Sequence, residues 1–161
     1  MTNLEFCMAR RKSERGAFVR VLKALPQARL DYRPEPKSRT AAELGALLVA
    51  EEAALVSLVD TGAVDWKDEA PPATTDEIVA GYERYAAAVD ERLDKLDDAG
   101  WQKPVKFMVD GTPVWEAPLS EMTWGFLFDA VHHRGQLSTY LRPMGGKVPS
   151  IYGPSADDTG Q

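Results

Sequence analysis

The stretch Trp124–Tyr140, WGFLFDAVHHRGQLSTY, holds both histidines of the 161-residue chain and decides how the rest is read. Wound as one helix of about 3.6 residues per turn, it joins Met122, Phe126, Asp129, His133, Gln136 and Tyr140 on a single face. An apolar stripe of this kind turns toward a core. Asp, His and Gln within it bring polar groups to a place where they are costly unless bonded to one another, to water or to a metal. The helix is expected to start near Pro118 and to end at Pro143, because proline suits a first turn and cannot continue a helix.

Working upstream, VKFMVDGTPVW sets Asp110-Gly111 between two short runs of β-branched and aromatic residues, which predicts a small hairpin and not a larger sheet. Before it, Ile78, Tyr82, Tyr85, Val89, Leu93 and Leu96 form a helical stripe that Thr75, Asp76 and Glu77 open and Gly100 closes. GAVDWKDEAPPATT reads as a polar linker. A helix from Ser38 or Thr40 to about Thr61, stopped by Gly62, buries Leu44, Leu47, Leu48, Leu55 and Leu58. Residues 2–25 form another, with Leu4, Met8, Phe18, Leu22 and Leu25 inward and Thr2 as its cap. The Gly- and Pro-rich tail GGKVPSIYGPSADDTGQ is expected to cover the helices in extended form, with its last residues frayed. The fold predicted is all-α: a four-helix bundle with a short β-hairpin before the fourth helix, in one domain over residues 1–161.

Composition narrows the function. A formal charge of -6, with basic residues interleaved among acids, argues against nucleic acid, which needs a basic stripe. No apolar run reaches the roughly 18 residues of a spanning helix, and the N-terminus has apolar residues before charges, the reverse of a secretory leader, so no membrane partner and a cytoplasmic location are expected. Cys7 is the single cysteine, which rules out an intrachain disulfide. Gly145-Gly146-Lys147 is followed by Val148 and lacks the spacing of a phosphate loop.

Within the fourth helix Asp129 and His133 stand four residues apart, so their side chains meet and can grip one ion; an Asp that merely orients or charges a His fits the same spacing. His132 lies about 100° round the helix, toward an edge, and with Gln136 and Tyr140, which follow along the face, it is a candidate to hold a substrate. In the second helix Glu51 interrupts a leucine stripe, with Glu52 at its edge. An acid there either bonds a buried donor or serves as a ligand or general base. Arg11 and Arg15 share the first helix's stripe, either pairing with acids or forming an anion site.

The run FLFDAVHHRGQLSTYLRPMGGKVPSIYGPS resembles the last helix and tail of the DinB family, whose helix carries an H-x-x-x-H-R-G-Q pattern. ALPQARLDYRPEPKSRTAAEL resembles the family's entry into its second helix, and the hairpin fits too, so the likeness spans essentially the whole chain. The resemblance implies a four-helix bundle, often a homodimer, with a nickel, zinc or iron ion between helices and chemistry on low-molecular-weight thiols by transferases or hydrolases.

This chain departs from the pattern at two ligands. The histidine that follows A-E-L-x-x in the family is Leu47 here, which has no donor atom, and the first histidine of the fourth-helix pattern is Asp129. His133 matches the second. A metal would therefore need Asp129, His133 and Glu51, one turn below Leu47. Such an oxygen-rich set suits iron or manganese as well as zinc. The expectation is a degenerate cavity, metal-free or weakly metal-binding, in a dimeric bundle that binds a small molecule. The alternative is a divalent-metal-dependent thiol transferase or hydrolase that uses Asp129 and His133.

Overall fold

Three of the four long helices begin on a threonine whose hydroxyl accepts the N–H of a glutamate three residues on, while that glutamate's carboxylate accepts the threonine's own N–H. Thr2 with Glu5 opens α1 (Asn3–Lys23), Thr40 with Glu43 opens α2 (Ala41–Thr61), and Thr74 with Glu77 opens α3 (Thr75–Leu93). These reciprocal bonds satisfy donors that a helix start otherwise leaves bare. Gly62 ends α2 in the left-handed region at φ 80°, its N–H donating to the Leu58 carbonyl. The computed structural model describes residues 1–160.

Two boundaries differ from the sequence expectation. The cap of α3 is Thr74, one residue earlier than Thr75, and α3 stops at Leu93 instead of Gly100. The chain turns there, and Asp97 caps a short α4 (Asp98–Trp101) that drives Trp101 into the core at 1% exposure. The apolar area of one indole outweighs two more turns of a helix whose next residues are Asp94, Lys95 and Asp97.

The expected lone hairpin is corrected to a three-stranded sheet. β1 (Ala63–Trp66), inside the expected polar linker, pairs parallel with β2 (Pro104–Val109), which pairs antiparallel with β3 (Thr112–Pro118). Asp110 and Gly111, at φ 50° and 73°, make the tight turn between β2 and β3. The Asp65 carboxylate accepts the Gly111 N–H at 3.1 Å and ties β1 to that turn. α5 (Leu119–Tyr140) follows directly from β3.

The chain is mostly helical. α2 packs against α3 and α5, and α1 packs against the same two from the other side, closing a ring. Two apolar clusters fill it. Phe18, Leu22, Leu48, Ile78 and Leu137 belong to one; Leu55, Leu58, Leu93, Trp101 and Met122 belong to the other. Along α1 and α2 the change from one cluster to the other falls at buried charges: Arg11 between Cys7 and Phe18, and Glu51 with Glu52 between Leu48 and Leu55. The tail is pinned to the helices: Arg134 of α5 lies over both the Phe18 and Tyr152 rings and bonds Glu14 and the Tyr152 hydroxyl. No helix among the described residues is long and apolar enough to cross a membrane.

Candidate metal centre

The polar layer divides into two groups with different chemistry. Arg11 donates two hydrogen bonds to Glu52, at 2.6 and 3.3 Å, and reaches Asp90 on α3, which also holds Arg15. Burial alone would weaken the hold of Arg11 on its proton. The charge and hydrogen bonds of Glu52, with the charge of Asp90, more than offset this and raise it. Of the two sequence readings for Arg11 and Arg15, the structure shows pairing with acids. Nearby Cys7 is fully buried, which pushes its thiol up to about 11, far from the range of a reactive thiolate.

Glu51, the neighbour of Glu52, faces the other way. Its carboxylate is 2% exposed, and among the described residues neither oxygen has a hydrogen-bond partner. His133 Nε2 lies 3.7 Å from its Oε1 and 3.4 Å from Asp129 Oδ2. One ligand atom from each of Glu51, Asp129 and His133 falls within 4.8 Å of the others, a spacing that can hold a metal ion. Burial, reinforced by the charge of Asp129, by the hydrogen bond that the protonated carboxyl can give to Asp129, and then by the charge of Glu52, pushes the Glu51 carboxyl up to about 9. The three residues span depth as well: Glu51 is enclosed, the His133 side chain is 16% exposed and that of Asp129 58%. A cation here would be gripped from below and approached from the Asp129 side.

The second imidazole nitrogen, Nδ1, lies 2.9 Å from Gln136 Oε1, so the amide one turn on fixes the ring with Nε2 toward the acids. Gln136 therefore acts on His133. Tyr140 is engaged elsewhere: its hydroxyl donates to the Arg39 carbonyl and its ring meets Tyr32 edge-on. His132 is exposed, stands edge-to-face on His133 and lines the same cleft.

That cleft, of about 710 Å³, opens above the cluster and includes Leu47, the position of the family's missing histidine. Its other walls were not legible in the sequence as a site. Trp66 comes from β1, Phe107 from β2 and Trp115 from β3, beside Phe126 and Phe128 of α5. The hydrophobic runs around Asp110-Gly111 signal strands, but nothing local to them places β2 and β3 against α5 or β1 against α2.

Fold and cluster together define a mostly helical protein with a carboxylate–imidazole group at the base of an inter-helix cleft. The DinB family model matches residues 2–160, and the chain belongs to the DinB family. Its structure is similar to a DinB-like protein from Bacillus cereus at 24% identity, covering 92% of this chain and 97% of that one, with a TM-score of 0.75. A DinB-like protein from Bacillus subtilis matches at 14% identity over 88% and 93%, with a TM-score of 0.67. The mycothiol-dependent maleylpyruvate isomerase shares 15% identity over 91% of this chain and 62% of that longer one, with a TM-score of 0.53. A comparison with curated proteins finds no match.

Proposed function

We propose that Glu51, Asp129 and His133 hold a divalent cation and that the protein is a metal-dependent member of its family, acting on a small molecule in the cleft. One observation carries this: Glu51 is an enclosed carboxylate with both oxygens unpartnered, aimed at an imidazole and a second carboxylate. Such a group is costly to bury, and a cation is the partner that makes the arrangement favourable. Residues 1–161 are taken as one domain built on the four long helices, and Leu47 costs the site a nitrogen that Glu51, four residues on, replaces with oxygen. Two carboxylates and one imidazole suit manganese, iron or zinc better than nickel, which favours nitrogen-rich sets.

When bound, the metal would supply Lewis acidity and lower the pKa of a coordinated water or thiol. The protein supplies the rest. Gln136 fixes the His133 ring, the buried wall around Glu51 excludes water, and His132 stands at the mouth as a proton carrier. Thiol transfer and hydrolysis are the two reaction classes in view. The relative named as a mycothiol-dependent isomerase supports the use of a thiol in the first; the polar, half-open Asp129 side, which admits water, supports the second. A second reading, a metal-free binding scaffold, rests on Leu47 and on the raised Glu51 carboxyl, which is neutral near pH 7 when no cation is present.

The test is metal content and calorimetric uptake by untagged protein. About one ion per chain, of manganese, iron or zinc, supports the proposal, and no uptake at micromolar excess overturns it. Leu47→His separates the readings further. Restoring a nitrogen ligand beside Glu51 should tighten binding by about tenfold or more, whereas no gain would point to the scaffold.

A further inference from the structure

The cleft above the cluster is walled by aromatic rings, and their arrangement carries information about what enters. Trp66 and Phe107 lie 5.7 Å apart, centroid to centroid, tilted by 33°. Phe107 and Phe126 lie 5.9 Å apart, tilted by 54°. The rings therefore offer both faces and edges, the geometry in which a planar guest ring gains most. Trp115 completes the wall because residue 125 is glycine: a Cβ there would stand 2.6 Å from the indole Cη2. Gly125 is one helical turn before Asp129, so the tip of the indole's six-membered ring comes against α5 beside the candidate ligands. Phe128, 66% exposed, forms an outer lip.

Charge fixes the other end of the guest. Glu51 and Asp129 together would balance a divalent cation, which leaves the half-exposed Arg39 guanidinium, felt also by Glu43, as the positive charge on the wall open to a guest. Its nearest acid, Asp68, is 3.9 Å away and 73% exposed, too far for a hydrogen bond and easily displaced. A guanidinium in that state favours a planar carboxylate, which it can bind through two parallel N–H donors.

From these walls and this charge, and resting on the metal reading above, we propose that the cleft takes a planar aromatic carboxylate, its ring among Trp66, Phe107 and Trp115 and its carboxylate toward Arg39. A hydrophilic thiol would leave those rings against polar groups, so the aromatic acid is the partner substrate and not the thiol itself. Two ring contacts of about 0.7 kcal/mol each correspond to about a tenfold preference over a saturated ring.

The experiment first titrates the 161-residue protein with manganese(II), then with three probes by calorimetry: naphthoate, cyclohexanecarboxylate and naphthalenemethanol. Naphthoate is expected to bind at least about tenfold more tightly than either of the others. Trp115→Ala should reduce naphthoate to the level of the saturated acid, and Arg39→Gln should reduce it to the level of the alcohol. Equal binding of saturated and aromatic acids, indifference to Arg39→Gln, or no naphthoate binding at millimolar concentration overturns the inference. Protein that takes manganese but ignores naphthoate overturns it alone and leaves the metal reading intact. Protein that takes no manganese overturns the metal reading, and the same three probes then support or overturn the ligand class by their ranking.

Discussion

Glu51 and Glu52 are adjacent on α2, of the same residue type and almost equally buried, yet their surroundings share nothing. Glu52 meets Arg11 through two hydrogen bonds and belongs to a network that ties α1, α2 and α3 together. Glu51 meets an imidazole and another acid, with no hydrogen-bond partner for either oxygen. One is a closed ion pair that holds helices; the other is one of three residues proposed to hold a cation. Burial of an acid is therefore a poor marker of a site, and the identity of its neighbours is the useful one.

The largest expected effect breaks the paired side. Glu52→Ala leaves the Arg11 guanidinium buried without its main partner and should lower stability by about 3–5 kcal/mol, read from the urea unfolding midpoint. A change under about 1 kcal/mol would mean that Asp90 alone suffices and that the contrast is overstated. On the open side, Glu51→Gln keeps the shape and removes the charge. Cation affinity should fall at least about 100-fold by calorimetry, beyond what loss of a supporting group does, while the metal-free fold keeps or gains stability.

A pH series sharpens the same contrast. In the folded metal-free protein the Glu51 carboxyl is pushed up to about 9 from an ordinary value of 4.5. Between those values the unfolded chain has released this proton and the folded chain retains it. The contribution is complete below about pH 4.5 and is lost as pH rises toward 9, with a slope of at most about 1.4 kcal/mol per pH unit. Denaturation of wild type against Glu51→Gln isolates it: the variant's curve should lack this decline, and parallel curves would show that Glu51 ionises freely in the fold. The smallest effect lies at the rim of the closed pair. Arg15 and Asp90 are about a third exposed, so Arg15→Gln should shift the midpoint by only about 0.5 kcal/mol.

Much of the helical architecture was legible because its signals are local. Thr2, Thr40, Gly62 and the Asp110-Gly111 turn each act within a few residues, and each stands where its chemistry indicates. β1 was not legible. It is four residues long, its pattern includes Asp65, and its partner β2 lies about forty residues on, so no local rule reveals it. The end of α3 was missed for a related reason, since the Leu96 spacing continues the stripe while Trp101 finds its place only in the assembled core. Glu51 stood out as an acid in a leucine stripe, Asp129 and His133 by their four-residue spacing on one face, and the DinB pattern added Leu47. What the sequence did not show was that Glu52, read as an edge residue, is buried as well, because its partner Arg11 arrives from a different helix, 41 residues upstream.

One pairing in the sheet sets more than the strands it joins. Val105 is opposite Ala117, and two residues along the same face Phe107 is opposite Trp115. The first pair is sealed in the core; the second lines the cleft. Sliding either strand by one residue would turn both pairs outward together, so the depth at which Val105 and Ala117 seat also sets where Phe107 and Trp115 stand. The cleft's calibre is thus gauged by two side chains that never meet its contents, and a change of size at Val105 or Ala117 can retune selectivity from behind the wall.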